Sequence, residues 1–212
     1  MSESSIGAET VAGFLEVLAS DAPTPGGGAV AGVAAAAGAS LVAMVARLTA
    51  GKDDYEEVDG RMRELIREAD AARTAFLDLA DRDAHAFDGV MDAFKMPKDT
   101  DEQKAARSAA IQTGYRHAAD VPLECLHTAV NTMPLAVEVT ASGNVRAASD
   151  ALSAAAALYC AALCAAANVQ INAVALKDEA KRTGMLDEVA SLRSRAEGSL
   201  GEAQTAFQLR MS

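Results

Sequence analysis

Apolar residues recur at helical spacing along almost the whole chain, and no segment alternates every second residue between turn signals as a half-buried strand does. Val11, Phe14, Leu15 and Leu18 mark an amphipathic helix over 6–19. A turn at 21–28 leads into a helix over about 28–49 that has no charge between 29 and 46. Gly51 closes it as a helix-ending glycine does. A long helix over about 56–94 carries the stripe Phe76, Leu79, Ala80, Phe87, Val90 and Phe94, and Pro97 breaks it. Thr100 with Gln103 is a capping box that starts a fourth helix, reaching about 119. Val121-Pro122 predicts a kink or restart there, and Pro134 predicts a break near Met133 in the next helix, over 122–141. Ser142-Gly143-Asn144 is a stop and a new N-cap. Residues 145–176 form a second small-residue helix, uncharged from 151 to 176. Residues 179–211 close the chain with Leu186, Val189, Leu192, Ala196, Leu200, Ala203 and Phe207 on one side.

The pattern therefore predicts an all-α, single-domain helical bundle over 1–212 with two lean, Ala/Gly-rich central helices. Both are apolar nearly all round, so both should be buried. Gly28, Gly32, Ala36 and Ser40 fall four apart, which leaves one helix face almost bare backbone, built for close approach. One domain of 212 residues would struggle to cover two such rods, which predicts a homodimer. With only 4% aromatic residues the core must be Ala, Leu and Val, and such a core fills space only when helices pack closely. A membrane span at 29–46 is disfavoured, because Ala and Gly leave too few large apolar groups.

The net charge of −11 argues against nucleic acid or an anionic membrane as partner, and means that an anionic ligand would need a local positive site. Three cysteines and no signal peptide fit a reducing, cytoplasmic setting. Cys160 and Cys164 read as core thiols, and Cys125 with His127 is too small a set for zinc, so no metal is expected.

Candidate chemistry is concentrated at a few places. Pro23-Thr24-Pro25-Gly26-Gly27-Gly28 is a turn with permissive backbone; it is at least a helix start. The amides and positive dipole end of the helix it opens also suit an anionic group. Gly26-x-Gly28-x-x-Ala31 is not a dinucleotide loop, since no strand precedes it. Gly51-Lys52 is not a phosphate loop, since Asp53 replaces Ser or Thr and Ala46 the first glycine. Asp83 sits inside the apolar stripe of the long helix, with Leu79 and Phe87 one turn away and Phe76 and Val90 two turns away. A desolvated carboxylate there has a raised pKa and becomes a proton acceptor matched to neutral pH; the alternative is a buried ion pair with Arg47 or Arg116. Asp150 is either a second functional acid or an i−4 partner of Arg146. Asn168 and Asn172 share its face but lie roughly 27 Å or more along the helix, so they serve a helix crossing or a site shared with a partner subunit. His85 reads as surface, and His117 and His127 have no partner in view.

Several motifs occur in one order: the Pro-Thr-Pro-Gly-Gly-Gly turn, Gly51-Lys52-x-x-Tyr55, Asp83-Ala-x-Ala-Phe87, Pro97-Lys98-x-Thr100, Val121-Pro122-Leu123, Gly143-Asn144 with Ser149-Asp150, and Asn168-Val169-x-x-Asn172. In this the chain resembles the cyclodeaminase/cyclohydrolase family over about 8–210. The resemblance implies an all-helical homodimer that acts on a folate with no metal or other cofactor, the folate being substrate. It implies that Asp83 is the catalytic acid–base, and substrate contacts from Pro25, Gly26, Gly27, Gly28, Lys52, Tyr55, Asn144 and Asp150. Asp150 or Asn144 would hold the pterin edge, while Lys52 and the glycine amides would take the glutamate carboxylates. Ala50 and Asp53-Asp54 depart from the family's bulkier, more lysine-rich loop. The expected reaction is hydrolysis of 5,10-methenyltetrahydrofolate, favoured by the short single-domain length. The alternatives are cyclodeamination of 5-formiminotetrahydrofolate and a non-catalytic helical scaffold.

Overall fold

The computed structural model describes residues 5–212, which form helices and connecting turns with no strand among them. The α-helices are α1 (Val11–Leu18), α2 (Gly27–Thr49), α3 (Asp59–Ala86), α4 (Asp88–Lys95), α5 (Asp101–Ser142), α6 (Ala148–Ala173) and α7 (Glu179–Met211). Helix α2 packs on α3, α6 and α5; α5 packs on α6, α7, α3 and α4. The lean pair α2 and α6 thus runs through the middle, as their uncharged sequences require. Both are long and apolar enough to cross a membrane by length and composition, yet the buried faces of both pack into one shared core.

Missing side chains set the helix spacing. A Cβ on Gly32 would lie 2.7 Å from both Ala80 Cβ and the Phe76 carbonyl of α3. A Cβ on Gly38 would lie 2.8 Å from Leu158 Cγ and 3.0 Å from the Ala154 carbonyl of α6. Gly28 faces Asp83 and Gly27 faces Asn168, so α2 runs antiparallel to both α3 and α6. The N-terminal end of α2 therefore meets the C-terminal ends of both.

Four expectations change. The helix over 6–19 is a 3₁₀ turn, Ile6–Ala8, followed by α1, because Ser5 and Thr10 each cap a separate start. The turn is tethered to α3: the Ile6 N–H donates to Asp81 Oδ1 at 2.6 Å. The chain over 56–94 is not one helix. A 3₁₀ segment, Asp53–Val58, precedes α3, and α3 gives way to α4 at Phe87, whose carbonyl accepts from both Val90 and Met91 N–H. Val90 seats on α5, where a Cβ on Gly114 would be 3.1 Å from Val90 Cα. Phe94, at the far end of the predicted stripe, is left 45% exposed.

Neither Pro122 nor Pro134 breaks α5, which is continuous over 42 residues. Proline at 122 cannot donate to the Ala118 carbonyl one turn back. Asn172 of α6 donates instead, from Nδ2 at 2.8 Å, so the missing helical bond is replaced from outside. The predicted stop at 142–144 holds, and the predicted helix over 145–176 opens as a 3₁₀ turn, Val145–Ala147, before α6.

Gly38→Ala is expected to cost about 1–3 kcal/mol in urea unfolding, because its methyl must displace α6. Gly198→Ala, on an α7 face with nothing within 4 Å, is expected to stabilise by about 0.4–1 kcal/mol. Equal effects would remove the close-approach account.

Candidate active site

The turn before α2 places the first amides of that helix against the C-terminal half of α3. Asp83 lies there. A Cβ on Gly28 would overlap its carboxylate, so the carboxylate rests on bare helix backbone. The Ala29 N–H is hydrogen-bonded to it. Burial pushes the Asp83 pKa up to about 6, and the Ala29 amide opposes part of that rise. No cation contributes. Arg47 is paired with Asp70 and Arg116 with Asp120, so neither ion pair open to Asp83 in sequence is formed. The result is a half-buried carboxylate balanced near neutrality, able to accept or return a proton.

Asp83 opens into a cavity of about 430 Å³ walled by Gly26, Gly27, Phe87, Tyr115, Asn168 and Asn172 among others. Each asparagine commits its amide NH₂ to backbone. Asn168 Nδ2 donates to the Cys164 carbonyl at 2.8 Å; Asn172 Nδ2 donates to the Ala118 and Asn168 carbonyls. Asn172 serves a helix crossing, one of the two roles open to the pair in sequence, whereas the Asn168 bond stays within α6; both line the cavity. Tyr115 is fixed edge-on to Phe94, with ring centroids 6.4 Å apart. Nothing in the sequence singles out Tyr115; its position emerges only when α5 passes Pro122 unbroken. The nearby Cys125 thiol is pushed up to about 12, chiefly by burial, and is inert as a nucleophile.

The other sequence-predicted residues fall elsewhere. Pro25, preceded by a cis peptide bond, lines a neighbouring hollow with Asp81 and His85 rather than the Asp83 cavity. Lys52, Tyr55, Asn144 and Asp150 sit at the opposite end of α2, which at 1.5 Å per residue is roughly 33 Å away. There Lys52 is exposed in a small hollow with Asp53, Glu56 and Asp59. The Tyr55 hydroxyl accepts from the Val145 N–H at 3.0 Å. Asn144 is buried and its polar groups are all used: N–H to Thr49 Oγ1, Nδ2 to the Leu48 carbonyl, and Oδ1 from the Arg146 N–H. Asn144 thus ties the α5–α6 turn to the end of α2. Asp150 is half-buried in the first turn of α6. One protomer thus brings together Asp83, Gly26, Gly27 and Gly28, and not the other predicted contacts. His127, expected to stand alone, meets Glu188 of α7 at 2.8 Å on the surface. Among the described residues no three His, Cys, Asp or Glu side chains form a metal-holding group.

Comparison with known proteins follows the same lines. Residues 10–191 match the family profile described as formiminotransferase-cyclodeaminase. A methenyltetrahydrofolate cyclohydrolase of Methylorubrum extorquens is 42% identical over 196 residues, covering 92% of this chain and 94% of that protein. A formimidoyltransferase-cyclodeaminase of Sus scrofa is 38% identical over 183 residues, 86% of this chain but only 34% of that longer protein. Among solved structures, a formiminotetrahydrofolate cyclodeaminase from Thermotoga maritima superposes with a TM-score of 0.87 at 28% identity, over 98% of this chain and 100% of that one.

The raised Asp83 pKa has a stability consequence. The carboxyl holds its proton more tightly folded than unfolded, so its contribution is complete below about pH 4 and is lost as pH rises through about 6. Asp83→Asn, which imitates the protonated form, is expected to be more stable than the parent at pH 8 by about 1–2 kcal/mol after solvent screening is allowed for. The gain should vanish near pH 4. Thermal melts at the two pH values check this; no gain at pH 8 contradicts the burial of the charge.

Proposed function

The chain belongs to the formiminotransferase-cyclodeaminase family, and from that premise we propose that it is a methenyltetrahydrofolate cyclohydrolase. It would hydrolyse 5,10-methenyltetrahydrofolate to 10-formyltetrahydrofolate, with Asp83 as general acid–base. The observation that carries the reading is the unpaired, half-buried Asp83 carboxylate, with a pKa of about 6, on the wall of a cavity that can hold a heterocycle.

The methenyl bridge is a delocalised cation between N5 and N10. A carboxylate without a cation partner attracts it, and the partial burial of Asp83 away from water strengthens that attraction. Asp83 accepts a proton from the attacking water as the C–O bond forms. The neutral adduct then opens: Asp83 returns its proton to N5 as the C–N5 bond breaks. The hydroxyl proton leaves as the formyl carbonyl forms on N10, so one proton is released per turnover. The Ala29 amide holds the carboxylate in place throughout. No metal or other cofactor enters this scheme. Cyclodeamination of 5-formiminotetrahydrofolate is the second reading, and the superposition with the Thermotoga maritima cyclodeaminase favours it. The higher identity to a cyclohydrolase over nearly the whole of both chains favours hydrolysis. A non-catalytic scaffold has no use for an isolated, half-buried carboxylate on a cavity wall beside Phe87 and Tyr115.

The reading includes a cytoplasmic homodimer with no nucleic-acid or membrane partner. Val11 and Leu15 of α1 are 77% and 53% exposed, and Ile171 and Val174 near the end of α6 are 68% and 60% exposed. A second copy would cover these uncharged faces, and only a second copy could bring Lys52, Tyr55 and Asp150 toward an Asp83 cavity. Sedimentation should show a dimer at micromolar concentration; a monomer there removes this part of the reading.

Following the methenyl absorbance tests the chemistry. A cyclohydrolase consumes 5,10-methenyltetrahydrofolate, whereas a cyclodeaminase produces it from the formimino compound. Asp83→Asn is expected to lower kcat/KM by about 10²–10⁴. In the parent enzyme kcat/KM should rise with pH through about 6, the pKa of Asp83. Near-full turnover by Asp83→Asn would falsify the assignment.

A further inference from the structure

The chain has 30 acidic residues against 19 lysines and arginines, so a cluster of cations is unexpected. One exists. Lys98, Lys104, Arg107 and Lys177 line a hollow of about 380 Å³ with Ser108, Ile111 and Gln112, and no carboxylate lines it. Lys104 pairs with Asp101 at 3.0 Å. The others are held by neutral groups where they are held at all. Arg107 donates to the Phe94 carbonyl at 3.1 Å and lies over the Phe94 ring, and Lys177 Nζ donates to Ser108 Oγ at 2.8 Å. Among the described residues no carboxylate pairs with Lys98, Arg107 or Lys177. Three cations are left for an anion from outside.

The hollow and the Asp83 cavity have no lining residue in common, but two contacts link their walls. Gln112 Nε2 donates to the carbonyl of Ala175, which lines the cavity, while its Oε1 accepts from the Lys177 N–H at 2.6 Å. Tyr115, on the cavity side, stands edge-on to Phe94, on which Arg107 rests. Tyr115, Ile111, Ser108 and Lys104 follow one another at helical spacing down one face of α5. From Tyr115 to Lys104 is about 16 Å along the helix, a span on the scale of the aminobenzoyl arm that joins a pterin to its first glutamate.

We propose that this cationic hollow binds the γ-linked oligoglutamate tail of the folate whose one-carbon bridge lies at Asp83. The identity of the tail rests on the cyclohydrolase reading; the charge and position of the hollow do not. The two ends of the substrate carry opposite charges, and the protein meets them with opposite charges in two hollows linked by those contacts. Lys52, expected from sequence to take the glutamate carboxylates, is at the wrong end of α2 to do so within one protomer.

Binding of p-aminobenzoyl-pentaglutamate, measured by titration calorimetry, tests the hollow without catalysis. The Lys98→Ala/Lys177→Ala double variant is expected to bind about fivefold to tenfold more weakly than the parent, as for two ion pairs of rim strength. Raising the ionic strength should weaken the parent in the same direction, and this arm needs no variant to fold. In turnover, the parent should show a lower KM for pentaglutamylated than for monoglutamylated 5,10-methenyltetrahydrofolate, and the double variant should lose most of that ratio. Equal affinity in parent and variant, insensitive to salt, overturns the proposal. So does inorganic phosphate displacing the peptide at equal concentration, which would assign the hollow to a phosphate ligand. Absence of methenyl turnover in the parent counts against the cyclohydrolase reading alone, since the binding arm still reports on the hollow.

Discussion

The structure depends on a carboxylate resting against a helix that has no side chain at that point. Any Cβ at Gly28 would occupy the space of the Asp83 carboxylate. The contact does three things at once. It lets α2 and α3 approach to backbone distance, it removes most water from the acid, and it supplies one amide that keeps the acid from becoming wholly neutral. A deeper site with no amide would leave a carboxylic acid protonated at pH 7. A shallower one would leave an ordinary carboxylate near its unperturbed value. The glycine face of α2 is therefore both a packing device and the means by which the acid is tuned.

The same economy extends along the bundle. With few aromatic residues, the core gains density by bringing backbones together, at Gly32 against α3 and at Gly38 against α6. This ordering fixes which helix ends meet. Because α2 is antiparallel to both neighbours, the start of α2, the acidic end of α3 and the asparagine end of α6 must converge. The site is a consequence of helix direction before it is a matter of any one residue.

Much of this was legible in the amino-acid pattern and some was not, for identifiable reasons. Helical period, capping residues and the uncharged runs are local signals, and they located the elements to within a few residues. Asp83 stood out because one charge interrupted an apolar stripe, a signal that survives without knowing the partner helix. The break at Phe87 was hidden, since no proline or glycine occupies it, and the seat that Val90 then takes on Gly114 lies in another element. Asn144 was legible only in part: as an N-cap its role is local and visible, but its further bonds to Leu48 and Thr49 join residues more than 90 positions apart. Grouping Lys52, Tyr55 and Asp150 with Asp83 failed for one protomer because motif order along the chain carries no information about which end of a long helix a motif occupies. The cationic hollow was equally invisible, being assembled from the 95–108 region and the α6–α7 turn.

Pro122 shows how fold and site are tied. A proline in mid-helix forfeits one hydrogen bond and crowds the preceding turn, at a cost of about 3 kcal/mol or more. A break there would have been the ordinary result, and it would have turned the N-terminal part of α5 away from α6. Instead the Ala118 carbonyl that Pro122 cannot satisfy is taken by Asn172, and both Ala118 and Asn172 wall the Asp83 cavity. The unsatisfied carbonyl thus gives Asn172 a fixed partner, and the fixed asparagine holds α6 to α5 beside the acid. Because α5 continues unbroken, Tyr115 lines the cavity while Lys104, Ser108 and Gln112 line the neighbouring hollow. A local defect in one helix, offset from a neighbouring helix, keeps the acid's cavity and the cationic hollow on one unbroken helix.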